Sequence, residues 1–271
     1  MKRIILAVVM ALLLAPGMLW AEDFDAALEA YDAGDIDTAY EIWRPMAEQG
    51  DAEAQFRLGH IYSGAPGAPW SWENQARRDD AEAVRWYRLA AKQGHADAQM
   101  RLGIMYYDGQ GVARDDAEAV RWYRAAAEQG HVDAQIRLGR MYRQGLGVAQ
   151  DAAKAARWYQ AAAEQGNAWA QFRLGILYGS GRGVIRDYTT AHMWYNIAAR
   201  SEDAIAARAK DFGDSFSDEI SEGLKDVLMS LMTIDASGFR DNIENRMTPE
   251  AIAEAQRRAR ICIESDYQDC D

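Results

Sequence analysis

Apolar residues in this chain recur with two superimposed periods. Over short stretches they fall three or four residues apart, the spacing of one helix face. Over longer stretches a whole pattern returns after 36 residues: "RWYRLAAKQG" from Arg85, "RWYRAAAEQG" from Arg121, "RWYQAAAEQG" from Arg157 and a looser "MWYNIAARSE" from Met193. In residues 95–130, Ala98, Leu102, Met105 and Tyr106 share one arc of a wheel turning about 100° per residue. Gly103 flanks that arc. A mid-helix glycine costs about 1 kcal/mol relative to alanine, so its return as Gly59, Gly139 and Gly175 predicts a compensating close approach by another helix. "DGQGV" then breaks the helix, with glycines free to take positive φ. Asp115 or Asp116 is placed to cap a second helix, which presents Ala119, Trp122, Tyr123, Ala126 and Ala127 on one face and closes at Gln129-Gly130.

One such helix pair cannot hide its apolar stripes alone, whereas stacked pairs can. The predicted fold is therefore all-α, a right-handed α-solenoid (superhelix) of stacked antiparallel helix pairs. Its repeats are 51–94, 95–130, 131–166 and 167–202, preceded by a degenerate half-repeat or cap at 22–50 that carries Trp43. The first repeat is eight residues longer than the others, and the excess lies in "SGAPGAPWSWENQ", a Pro/Gly-rich loop holding Trp70 and Trp72. The period fails after residue 202. Residues 203–271 read as a C-terminal helical capping region, with helices around "EISEGLKDVLMSLM" and a last helix opened by Thr248 as N-cap and Pro249 at its first position.

The recurring pattern A-x-A-Q-x-x-L-G-x-x-Y-x-x-G-x-G-V, followed by D, A, W-Y, A-A and Q-G, resembles the Sel-1-like repeat (SLR) family, helical relatives of the tetratricopeptide repeats. Ala96, Ala98, Gln99, Leu102, Gly103, Tyr106, Gly109, Gly111 and Val112 match it, as do Trp122, Tyr123, Ala126, Ala127, Gln129 and Gly130. The "MTPEAIAEAQRRAR…C" tail is similar to the end of many bacterial exported members. Segment 203–245 departs from the usual short joint. The resemblance implies a non-enzymatic interaction scaffold whose partners differ between members, with first helices lining the concave side. One cysteine-rich branch of the family is linked to β-lactam binding; this chain has no cysteine within its repeats, so that role does not carry over.

Composition places the scaffold. Lys2 and Arg3 precede an apolar run from Ile4 to Ala15, broken by Pro16-Gly17 and followed by Ala21 before the acidic Glu22-Asp23. This reads as a secretory signal cleaved after Ala21, an uncleaved anchor being the alternative; the run is short for a membrane span of about 20 residues. The expected location is periplasmic or secreted. The formal net charge is −12, and loss of Lys2 and Arg3, the only charged residues before Glu22, takes it to −14. That disfavours nucleic acid and anionic membranes, which need a cationic footprint. Cys262 and Cys270 are the two cysteines, and in an oxidising compartment they form one disulfide tying the tail to the last helix.

Comparison between repeats separates framework from variable positions. Leu, Gly and Tyr hold constant in the first helices, while His60/Ile104/Arg140/Ile176 and Ser63/Tyr107/Arg143/Gly179 change character. These columns lie three residues apart, on one helix face, and Arg57, Arg101, Arg137 and Arg173 continue the line a turn earlier. The candidate partner-binding residues are Arg101, Ile104, Tyr107, Arg137, Arg140 and Arg143, with Trp70 and Trp72 as a second patch. Arginine suits bidentate capture of carboxylates, which points to a protein or peptide partner with an acidic segment or a C-terminal carboxylate. The alternative is that these arginines pair with surface acids.

Chemistry-bearing motifs are missing. "GSGRGV" at 179–184 follows a helix, not a strand, and no GK[ST] comes after it, so it is a turn rather than a phosphate cradle. His60, His95, His131 and His192 have no paired ligand spacing, so no metal or cofactor is expected. His95 and His131, at equal places in the repeat joint, read as packing residues. There is no HExxH, SxxK or GxSxG. The competing function is an envelope enzyme, such as a peptidoglycan-acting hydrolase, with Asp211, Asp214, Asp218 and Glu219 in segment 203–248. A purely structural envelope protein is a third reading.

Overall fold

The computed structural model describes residues 16–64, 78–200 and 236–270. The helices are α1 (Pro16–Asp32), α2 (Ile36–Glu48), α3 (Ala52–Ser63), α4 (Asp80–Lys92), α5 (Ala96–Asp108), α6 (Asp116–Glu128), α7 (Val132–Gln144), α8 (Ala152–Ala163), α9 (Ala168–Ser180), α10 (188–200), α11 (Ala236–Glu244) and α12 (Pro249–Glu264). Every regular element among the described residues is a helix. The chain divides into an N-terminal half, Met1–Gln129, and a C-terminal half, Gly130–Asp271. Each half is an all-α stack of helix pairs.

Capping follows one rule along the chain. Second helices start at an aspartate: Asp79, Asp115, Asp151 and Asp187 each accept backbone N–H bonds from the first turn that follows. First helices start at Asp51, His95, His131 and Asn167, whose side chains accept from the N–H three residues on. His95 and His131 are thus caps, standing where aspartate or asparagine stands in the other repeats. Left-handed Gly109, Gly145 and Gly181 end α5, α7 and α9.

Packing inside each repeat turns on a glycine and a tyrosine. A Cβ on Gly103 would lie 2.6 Å from two ring carbons of Tyr123, and Gly59 meets Tyr87, Gly139 meets Tyr159 and Gly175 meets Tyr195 in the same way at 2.5–2.7 Å. The compensation expected at the mid-helix glycine is therefore a tyrosine ring from the second helix of the same repeat. Trp86 and Trp122 serve a different contact. Trp86 joins the cluster of Tyr31, Trp43, Leu58 and Ile61, and Trp122 joins that of Val84, Tyr87, Leu102 and Met105. Trp194 is buried, whereas Trp158 is only partly so.

The loop glycines lock repeat to repeat. A Cβ on Gly111 would fall 2.1 Å from the Asp80 carbonyl oxygen, and one on Gly183 2.3 Å from the Ala152 carbonyl. The turn following a first helix is pressed onto the start of the preceding repeat's second helix. Gly183, in the glycine-rich stretch 179–184, faces backbone rather than a ligand space.

Buried glutamines carry the polar account. Gln55, Gln99 and Gln171 donate to the carbonyls of Ala47, Ala91 and Ala163, near the end of the helix before each. Gln93, Gln129 and Gln165 in turn donate to Gln55, Gln99 and Gln135 at 2.7–2.9 Å. Polar groups withdrawn from water thus find partners in a chain of amides.

The end of the C-terminal half departs from the repeat. Thr248 caps α12 with Pro249 in its first turn, and Arg258 on α12 donates to Thr190 Oγ1 at 3.3 Å. Cys262 and Cys270 are bonded, Sγ–Sγ 1.98 Å, and the folded-back tail lays the Tyr267 ring against Gly166.

A glycine-to-alanine change in the middle of a helix normally gains about 1 kcal/mol. Here the methyl enters an occupied ring position, and overpacking costs about 1–3 kcal/mol. Gly103→Ala is expected to lower the thermal unfolding midpoint. In a Tyr123→Val background the same change should raise it, a sign reversal that a double-mutant cycle reads directly.

Candidate functional site

The first-helix face is not equally available along the chain. In the N-terminal half its first position is taken: the Tyr31 hydroxyl on α1 hydrogen-bonds His60 Nδ1 at 2.7 Å, and both residues are buried. Burial pushes the Tyr31 phenol up to about 12. Arg57 is also engaged, donating to Glu53 at 2.8 Å, and Glu53 receives His95 Nε2 at 2.7 Å. On α5, Arg101, Ile104 and Tyr107 are half-buried, and the Arg114 guanidinium lies over the Tyr107 ring at 5.2 Å. Trp70 and Trp72 lie outside the described residues, as do Asp211, Asp214, Asp218 and Glu219.

In the C-terminal half the far end is taken by the chain itself. Ile243 on α11 reaches within 3.2 Å of where a Cβ on Gly179 would stand. Phe239 packs edge-on against Phe172 at 5.2 Å and at a tilt against Tyr195 at 5.8 Å. His192, fully buried, closes the contact with Nε2 2.6 Å from Glu244 Oε1. Asn196 Nδ2 lies 2.9 Å from His192 Nδ1; with the amide donating there, Nε2 carries the proton that Glu244 accepts. The variable columns thus end on Ile176 and Gly179, beneath α11.

Within the C-terminal half α7, α8 and α9 line a cavity of about 440 Å3. Arg143 from α7 lines it together with Arg173, Ile176 and Leu177 from α9. Ala155 and Tyr159 on α8 and the loop residue Arg182 complete its main surfaces. Arg140 stands on the same face and donates to Gln144 Oε1 at 3.2 Å. Arg137 is half-buried and already engaged in an interaction. Arg140, Arg143, Arg173 and Arg182 have no carboxylate partner among the described residues. The Arg173 Nε is buried without an acceptor among them, and its guanidinium stacks over Trp169 at 4.6 Å.

The electrostatics agree with the geometry. Burial pulls Arg173 below the usual guanidinium range, and the neighbouring charges of Arg143 and Arg140 add to the shift. Burial alone raises Tyr195 to about 12. Burial also raises Tyr159, but there Arg143, Arg173 and Arg140 all pull the other way. Its equivalent Tyr87 has Ser63 Oγ at 3.0 Å instead of an arginine. The region around Tyr159 is a local positive field in an acidic protein.

Sequence comparison singled out Arg137, Arg140 and Arg143. The structure groups Arg140 and Arg143 with Arg173, from the Arg137 column one turn earlier, and adds Tyr159 and Arg182. The Tyr159 column was visible as part of the framework. Its proximity to the arginine columns needed the helix pairing, which a single-helix wheel does not contain.

The Sel1 repeat family model matches residues 52–95, 96–131, 132–167 and 170–203. The chain is therefore a helical-repeat protein, and it belongs to the Sel1 repeat family. It is similar to the crystal structure of a Sel1 repeat protein from Oxalobacter formigenes, at 32% identity and a TM-score of 0.60, over 66% of this chain and 70% of that one. It is also similar to c5321, a protective antigen of uropathogenic Escherichia coli strains displaying an SLR fold, at 30% identity and a TM-score of 0.62. That match covers 93% of this chain and 55% of the other, so the chain spans little more than half of that relative's length. No curated protein matches the chain. Sel1 repeat proteins generally mediate protein–protein interactions and are typically non-catalytic scaffolds. Among the described residues no helix is long and apolar enough to cross a membrane, and the Cys262–Cys270 bond suits an oxidising compartment.

The Glu53 cluster supplies a pH test. The hydrogen bond from His95, and secondarily the charges of Arg57 and His95, outweigh burial and hold the Glu53 carboxyl below its ordinary 4.5. A depressed carboxylate contributes stability above its unfolded pKa and loses it as pH falls through the folded one. Glu53→Gln is expected to lower the melting temperature at pH 7 and to leave it close to wild type at pH 3, as read by circular dichroism melts at both values.

Proposed function

We propose that this protein is a non-enzymatic scaffold of the bacterial cell envelope, exported through residues 1–21, that holds an acidic segment of a partner protein on the first-helix face of its repeats. The observation that carries the reading is local charge. The chain has 42 acidic residues against 30 lysines and arginines, yet Arg140, Arg143, Arg173 and Arg182 have no acid beside them among the described residues. Arginines that have no carboxylate beside them in a chain with excess acid are placed to meet a carboxylate from outside. In the C-terminal half, α11 at Gly179 closes the far end of the face to the partner.

Replacing Arg137, Arg140 and Arg143 together by alanine tests the reading, with Arg57→Ala as the comparison. Charge-assisted hydrogen bonds contribute about 1.5–3 kcal/mol each, so the triple variant should weaken partner crosslinking in the envelope at least tenfold. Arg57→Ala should leave it near wild type. Unchanged crosslinking by a folded triple variant defeats the proposal.

A further inference from the structure

The cavity between α7, α8 and α9 combines three features. It is lined by three arginines, Arg143, Arg173 and Arg182. One of these has a buried donor, Arg173 Nε, with no acceptor among the described residues. Apolar surface from Ile176, Leu177, Ala152 and Ala155 lies alongside. An uncompensated cationic lining calls for an anion, and an orphaned buried donor costs about 1–3 kcal/mol until something accepts from it. The apolar lining calls for carbon next to that anion, which a bare inorganic ion does not supply.

A fourth feature gives the direction. Ile176 lines the cavity and also packs in the cluster that holds Ile243 of α11. Beyond Ile176 the face is already occupied, by Ile243 at Gly179 and by Phe239 at Phe172. A peptide entering from the α7 side therefore meets a stop at the cavity. An internal Asp or Glu would require the chain to continue past it, whereas a chain end would not.

From this juxtaposition we infer that the cavity seats the free C-terminal carboxylate of a partner peptide whose last side chain is apolar. Arg143 and Arg173 take the carboxylate, and Ile176 and Leu177 take the side chain. The inference rests on the first-helix face being the partner surface, and it narrows the acidic segment to a chain terminus.

The test uses the full chain, 15N-labelled, and follows the arginine Nε–H resonances during titration. Three probes are compared: N-acetyl-Ala-Ala-Leu as the free acid, the same peptide as its C-terminal amide, and inorganic phosphate. The free acid should shift Arg143 and Arg173 saturably, with the amide at least tenfold weaker and phosphate weaker than the free acid. Arg143→Gln, at an exposed position, should weaken free-acid binding at least tenfold with no change in melting profile. Arg173→Gln should do the same if it folds, and the Arg143 variant decides the matter if it does not. Equal binding of acid and amide, or no shift with any probe, overturns the inference. Phosphate binding as tightly as the free acid overturns it too, leaving a bare anion site. If the acid and amide behave alike while the triple arginine variant still loses its envelope partner, the terminal seat falls and the scaffold reading stands.

Discussion

Each repeat depends on one contact: a tyrosine ring lying flush on a helix backbone where a side chain is missing. Gly59, Gly103, Gly139 and Gly175 have no room for a methyl group, because Tyr87, Tyr123, Tyr159 and Tyr195 occupy that volume. Dispersion forces fall off within an ångström of optimal separation, so removing Cβ brings an entire aromatic face into contact range. The same close approach sets how near the two helices of a pair can lie. It thereby helps fix where the flanking residues land, with Ala98 and Trp122 clustered against residues of the preceding repeat's second helix. The helix-propensity loss at the glycine is small beside the burial of a tyrosine.

The glutamine chain shows how such a stack is extended and how it stops. Each Gln-Gly closing a second helix supplies the donor for the oxygen of the glutamine in the first helix, as Gln93 does for Gln55 and Gln165 for Gln135. In the last repeat the corresponding sequence position is Ser201. There Gln171 still donates to Ala163 at 3.1 Å, but its oxygen has no partner among the described residues. The fourth repeat is thus the one whose internal amide-to-amide bond has no counterpart among the described residues. Different devices hold the chain after it: α11 on the first-helix face, and α12 with its disulfide against α10 and Gly166.

Much of this architecture was legible from periodicity, since a repeated chain displays its own internal alignment. The buried faces of α5 and α6 follow the wheel: Ala98, Leu102 and Met105 on one, Ala119, Trp122, Tyr123, Ala126 and Ala127 on the other. Equal places in the repeat joint make His95 and His131 read as packing residues, although the column they share with Asp51 and Asn167 marks them as caps. The covering of His60 and of Gly179 was not legible. Tyr31 and Ile243 lie outside the repeats, and no period relates them to the positions they cover. Gly179 was read as a change of character in a variable column; its physical content is the space that Ile243 fills.

Whether an arginine is spoken for depends on what stands one turn away. Arg44 and Arg57 have Glu48 and Glu53 at four residues, and Arg85 and Arg121 have Glu82 and Glu118 at three. Each of them forms that pair. Arg140 has only arginines at three residues, with isoleucine and glutamine at four; Arg143 has glycines at four; Arg173 has tryptophan and leucine. No local acid was available to any of them. Like charges one turn apart cost an isolated helix a few tenths of a kcal/mol per pair, so the pair Arg140 and Arg143 works against α7 itself. The acidic excess of the chain does not repair this, because long-range attraction to dispersed exposed charges is screened within about 8–10 Å in physiological salt. What would compensate Arg140 and Arg143 is a carboxylate brought to within contact distance. The cavity beside Arg143 and Arg173 is the place on this face where such a group would be held by two guanidinium groups and shielded from water by Ile176 and Leu177.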